Sequence, residues 1–192
     1  MRGSYMRKTK FTKKMILNKA AKFVQTYGFD ELTTRNLADY MKMSTQPIYK
    51  QFDSMADLKH ELVANYFKKL HYDFQKDFPN SHGLADFAQH FVLYNQKCYD
   101  LFLHIFFYPK KKRSTCQAIH DVSHQFFYEL IQADPQWCHF DSKARRQLED
   151  KYFLLLIGSV MTHRRFMEMK QESSLLLHLT SLVENLNQIK AA

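Results

Sequence analysis

The chain has 192 residues and a formal net charge of +9, enough for one large domain or two small ones around a real core. Four glycines and four prolines are too few for the turns of an all-β protein, so the composition points to helices. No apolar run nears the ~18 residues that span a bilayer, and no apolar stretch follows the basic N-terminus as in a secretion signal.

The charge is lopsided. Residues 1–70 hold 14 Lys+Arg against 6 Asp+Glu, whereas residues 71–192 hold 14 against 13. A basic N-terminal third suits a polyanionic partner, nucleic acid before an anionic membrane. Cys98, Cys116 and Cys138 are odd in number and widely spaced, which reads as free thiols in a reducing cytoplasm. Met1-Arg2-Gly3-Ser4 reads as an expression remnant ahead of a native start at Met6, and residues 1–11 as an N-terminal extension.

Taken in chain order, the first helix is predicted from Thr12 to Tyr27. Thr12 is its N-cap, Met15, Ile16, Ala20, Phe23 and Val24 form one face, and Gly28 supplies a left-handed stop. A second helix begins at Thr33 or Thr34 with Leu37, Ala38 and Met41 inward. Ser44 is the expected N-cap of a short third helix over 44–51, with Pro47 in its first turn and Ile48 and Phe52 inward. A fourth helix runs from near Ser54 to about Lys76, with Leu58, Leu62, Val63, Tyr66, Phe67 and Leu70 on its apolar side. The cluster Pro79-Asn80-Ser81-His82-Gly83 marks the expected domain boundary. Further helices are predicted near 84–100, 101–108, 115–133, 141–170 and 172–190.

The segment Asp30-Glu31-Leu32-Thr33-Thr34-Arg35-Asn36-Leu37-Ala38, followed by Met43-Ser44-Thr45-Gln46-Pro47-Ile48-Tyr49-Lys50-Gln51-Phe52, resembles the signature of the tetracycline-repressor (TetR) family. Gly28, Thr33-Thr34, Leu37-Ala38, Tyr49, Phe52 and Leu58 all stand at the family's offsets, and the resemblance covers about residues 12–66. It implies an all-α fold with an N-terminal three-helix helix-turn-helix DNA-binding domain and a C-terminal helical ligand-binding and dimerisation domain. The divisions are then 12–53 for the DNA-binding domain, 54–79 for a connecting helix and 80–192 for the remainder. The physics of groove reading agrees, because a short helix that is polar outside and pegged inside suits the major groove.

The resemblance also assigns roles. Thr34, Arg35, Ser44, Thr45, Gln46, Tyr49 and Lys50 become the expected DNA contacts, with Tyr49 on phosphate and Arg35 suited to guanine; Lys13 and Lys14 add to the phosphate set. Many relatives carry a phosphate-binding lysine where Met55 stands here, and Lys59 is the expected substitute. The implied protein is a cytoplasmic homodimeric repressor on a palindromic double-stranded DNA operator, released by a small-molecule effector. The alternative is an activator or co-regulator governed by a protein partner, for which the basic loop Pro109–Arg113 offers a surface.

Leu175, Leu179, Leu182, Leu186 and Ile189 are spaced 4-3-4-3, a seam for helix pairing. Gly158 and Thr162, four apart on the preceding helix, permit close helix approach, so the expected dimer interface holds Gly158 and the leucine seam. Phe91, Tyr94, Cys98, Phe102 and Phe127 lie where family members hold an inducer and form the expected pocket for a flat or lipophilic effector. His120 and His124, i and i+4 on one helix, have metal-chelating spacing, but no third ligand is evident in the sequence. No metal, cofactor or catalytic set is therefore expected.

Overall fold

The computed structural model describes residues 11–79, 83–107, 113–168, 179–183 and 185. Every regular element among them is helical: α1 (Lys13–Tyr27), α2 (Thr34–Tyr40), α3 (Gln46–Tyr49), α4 (Met55–Asp77), α5 (Leu84–Lys97), α6 (Tyr99–Phe106), α7 (Arg113–Ala133) and α8 (Ser142–Glu168), then a helical stretch at 179–183. None of the described helices is long and apolar enough to cross a membrane. Residues 1–10 of the expected N-terminal extension, the basic loop at 109–112, and Leu175, Leu186 and Ile189 lie outside the described residues.

The chain divides into two compact units, one of Met1–Asn65 with Leu103–Ile119, the other of Tyr66–Phe102 with His120–Ala192. The passage from one unit to the other after Asn65 falls within α4. A Pro/Asn/Gly cluster marks the end of a helix, and a 23-residue helix outlasts the core that its first turns help to cover.

In the first unit α1 packs on α2. Thr12 caps α1, its hydroxyl accepting the Met15 N–H at 3.3 Å, and Ile16, Leu17, Ala20, Phe23 and Val24 are buried. Gly28 ends α1 with its N–H on the Val24 carbonyl, at φ 85° and ψ 167°. This is not the expected left-handed helical stop but a more extended conformation that is essentially glycine's own. A Cβ here would also meet the His104 ring at 3.2 Å. Thr33 caps α2 through the Asn36 N–H, and the Asn36 amide returns to the Glu31 carbonyl. Ser54 caps α4 through the Asp57 N–H, while the Asp57 carboxylate accepts the Asp53 N–H. Such reciprocal caps stabilise a helix start by about 1 kcal/mol.

In the second unit α5 packs on α8 over an aromatic interior. Phe127 touches Phe67, Phe87, Phe91, Tyr152 and Phe153 and is 1% exposed. The polar groups that enter this core are paired. Tyr66 donates to the Asn95 side-chain oxygen at 2.5 Å, and the Asn95 amide donates to the Phe91 carbonyl. Tyr152 donates to the Leu84 carbonyl at 2.6 Å. Burial pushes both phenols well above the usual tyrosine range, so they remain donors. Buried Asp134, which falls between the predicted helices 115–133 and 141–170, accepts the Leu84 N–H at 2.9 Å and the Gln136 N–H at 2.8 Å. It thereby caps α5 from a distance, where Gly83 offers no side chain.

Candidate nucleic-acid interface

Unit one builds its outer face from the inside out. Ile48 is 1% and Phe52 2% exposed, and these two pegs fix a helix of only four residues. Pro47 stands in its first turn, where a missing N–H costs nothing. The remaining side chains of this segment, Ser44, Thr45, Gln46, Tyr49 and Lys50, stand in solvent, and Tyr49 is 59% exposed. The turn leading in is closed by the Met43 N–H on the Ala38 carbonyl. It holds Lys42 at φ 52°, a left-handed position for a non-glycine residue.

The helix cap is not Ser44. The cap position falls on Thr45, whose backbone is already helical and whose hydroxyl makes no capping bond, so both hydroxyls face outward. Thr34, in the first turn of α2, meets this face: its hydroxyl lies 3.2 Å from the Tyr49 hydroxyl. That bond ties the start of α2 to the end of α3. Arg35 beside it is exposed.

Two expected phosphate contacts are placed elsewhere. Lys59 is 7% exposed and donates to the Phe29 carbonyl at 2.9 Å, pinning the loop after α1 to α4 instead of facing solvent. Its long apolar stem is readily buried once a carbonyl takes the charge. Lys13 pairs with Glu61 and lies 5.2 Å over the Phe52 ring; the Glu61 carboxylate raises its pKa. Lys14 is exposed.

Residues 16–62 match the family model "Bacterial regulatory proteins, tetR family", a span that holds α2, the turn, α3 and the first turns of α4. The chain carries the DNA-binding domain of the tetR family. A search of curated proteins by sequence gave no match. Among solved structures, a protein of Shewanella sp. PV-4 described as a tetR family transcription regulator aligns with TM-score 0.66 at 16% identity, over 93% of this chain and 97% of that one. The FadR regulator of Bacillus subtilis, in complex with stearoyl-CoA, aligns with TM-score 0.59 at 13% identity over 89% and 95%. A single-substitution variant of TetR from Acinetobacter baumannii AYE, in complex with minocycline, aligns with TM-score 0.54 at 16% over 95% and 100%. At these identities the likeness is one of fold, and it covers most of the chain.

The residues expected to line an effector pocket all lie in the second unit. Phe91 and Phe102 are 0% exposed and touch each other, and Phe127 sits among rings as described. These three are packed interior side chains. Tyr94 and Cys98 are half-buried, and the Cys98 thiol lies 3.5 Å from the Tyr94 carbonyl. Burial pushes the Cys98 thiol up to about 11, which makes it an unreactive side chain at neutral pH.

Of the expected dimer residues, Leu179 is buried, Leu182 is 53% exposed, and a Cβ on Gly158 would meet nothing within 4 Å. Leu154, four residues before Gly158, is 70% exposed and Met161 37%. Both extend the open apolar face of α8 and were missed as site residues. The i, i+4 spacing from Leu154 to Gly158 was the available signal.

Proposed function

We propose that this tetR-family protein is a homodimeric transcriptional repressor that reads a palindromic operator with α3 and is released by a small-molecule effector held in its second unit. The observation that carries the reading is the outward set Gln46 and Tyr49 on a pegged four-residue helix with Thr45 and Lys50 at its two caps, and Thr34 and Arg35 of α2 beside it. Residues 12–53 are the DNA-binding domain in this reading, 54–79 the connecting helix and 80–192 the effector and dimer region. Arg35 pairs with guanine, Tyr49 holds phosphate with its hydroxyl steered by Thr34, and Ser44 joins the polar set. One such helix binds weakly, and two half-sites a DNA turn apart give affinity and a palindrome.

The exposed stripe Leu154, Gly158 and Met161 supports a second copy packing on α8, since contiguous apolar faces mark interfaces, and Leu182 adds a further exposed apolar side chain. The aromatic second unit, with Tyr94 and Cys98 at its half-buried margin, supports a flat or lipophilic effector. Fold relatives bound to stearoyl-CoA and to minocycline agree with that choice.

The test is selection of bound duplexes from a random library at physiological salt, with an Arg35→Ala, Tyr49→Ala double variant as control. An enriched palindrome, bound at least about a hundredfold more weakly by the double variant, is the expected result, at ~1–3 kcal/mol per contact. Enrichment indifferent to the double substitution would remove α3 and Arg35 from the interface.

A further inference from the structure

In the first unit, α1 carries four lysines and no acidic residue. Its core face is Ile16, Leu17, Ala20, Phe23 and Val24. On the opposite side stand Lys14, Asn18, Lys19, Lys22 and Thr26, all exposed, within an arc of about 140° at 3.6 residues per turn. Lys13 is taken by the Glu61 carboxylate. Among the described residues, Lys14, Lys19 and Lys22 have no carboxylate at ion-pair distance. This arrangement works against the helix. Its first turn holds two lysines and no carboxylate, at the end where the dipole favours anions, whereas α4, α5 and α6 each place an aspartate there. Lys19 and Lys22, three apart, repel each other on one face. An anion docked on this face turns each of these repulsions into an attraction.

Resting on the operator reading above, we propose that Lys14, Lys19 and Lys22 form a strip that contacts the phosphates of duplex DNA flanking the half-site read by α3, without reading sequence. Two observations tie the strip to DNA rather than to another polyanion. Lys13 Nζ lies 5.2 Å over the ring of Phe52, which pegs the end of α3, so the first turn of α1 stands beside the reading helix within one compact unit. The face is otherwise polar, with Asn18 and Thr26 among the lysines and Met15 as its one large apolar side chain. A membrane-surface helix sets bulky apolar residues beside its cations, and a protein interface centres on aromatic anchors; the described residues of this face supply neither. Lys14 and Lys22 stand about 12 Å apart along the axis. That is the run of roughly three to four phosphates on one strand, at about 3.4 Å each. Lysine ammoniums are point charges, which hold phosphate without selecting a base.

The experiment compares the full-length wild type with a Lys14→Gln, Lys19→Gln, Lys22→Gln triple variant by fluorescence anisotropy over a range of salt. The probes are the selected palindrome alone and the same palindrome with about ten further base pairs, one helical turn, at each end. Wild type should bind the flanked duplex at least about tenfold more tightly, and the triple variant should lose that gain while selecting the same palindrome. The slope of log affinity against log salt should flatten by about 2–3, at ~0.9 per phosphate contact. Glutamine keeps the helix propensity of lysine and the three positions are exposed, so thermal unfolding should not fall. A role in folding alone would lower it and leave the salt slope as it was. An unchanged slope and flank gain overturn the strip and leave the operator reading intact. A wild type that selects no palindrome overturns that reading instead, and the strip then stands only if the triple variant flattens the slope on a random-sequence duplex. Lost binding to phosphatidylserine vesicles with DNA binding unchanged would overturn the strip and give the face to a lipid surface.

Discussion

In the first unit, two buried pegs, Ile48 and Phe52, hold a face of polar side chains in solvent. In the second, Phe87, Phe91, Phe102 and Phe127 turn inward and leave almost no ring surface to water. The first unit's candidate chemistry is therefore local in sequence: a cap, a turn, a proline and a tyrosine within about twenty residues. The second unit's interior is assembled from α4, α5, α6, α7 and α8. What it accommodates depends on how rings from distant segments meet.

The largest expected effect tests whether that interior is filled. Phe127→Ala should cost about 3–5 kcal/mol, the range for emptying a packed aromatic site. The measurement is urea unfolding of the whole chain. A loss under about 1 kcal/mol would mean that the rings border open space, which would favour Phe127 as a pocket wall over core.

The next effect belongs to the first unit and to one backbone position. Gly28→Ala should destabilise by roughly 2–3 kcal/mol, from the cost of a non-glycine residue at this φ and ψ and from the His104 ring 3.2 Å from the new Cβ. Thermal unfolding checks it. A neutral substitution would show that the turn after α1 relaxes freely, and that α1 is held by its apolar face alone.

The same contrast explains what was legible. Thr12, Thr33 and Pro47 announce their helix starts through local hydrogen bonding and fixed φ, so the bounds of α1 to α4 were readable to within a residue or two. The four glycines and the 3–4 residue periodicity likewise gave the all-helical architecture. Lys59 was misplaced because nothing local distinguishes a lysine on phosphate from one that threads to the Phe29 carbonyl thirty residues away. Asp134 capping α5 across fifty residues, and Glu149 meeting His124, are invisible to periodicity for the same reason. The outward set on α3 was recognisable as a group, yet the bond from Thr34 to Tyr49 needed the packing of two helices.

The smallest expected effect concerns a polar group that the second unit buries without full compensation. His90 is 6% exposed, packed against Phe74, Phe78 and Tyr94, and its Nε2 has no hydrogen-bond partner. Burial lowers its pKa, outweighing Asp77, whose carboxylate stands 3.7 Å from Nδ1. The Leu70 backbone and, more weakly, Asp73 act with Asp77, and Lys97 against them. An unfolded histidine takes up a proton near pH 6.5, whereas folded His90 does so at lower pH. Between those two values the unfolded chain binds more protons, so stability falls as pH drops through about 6.5 and toward the folded value. Urea unfolding of wild type and His90→Gln at pH 7.5 and pH 5.5 measures this. The stability lost between the two pH values should be smaller in the variant, which has no proton to refuse. An equal loss would mean that Asp77 offsets the burial fully, and that the aromatic interior tolerates an imidazolium as readily as the solvent-facing side chains of the first unit tolerate their charges.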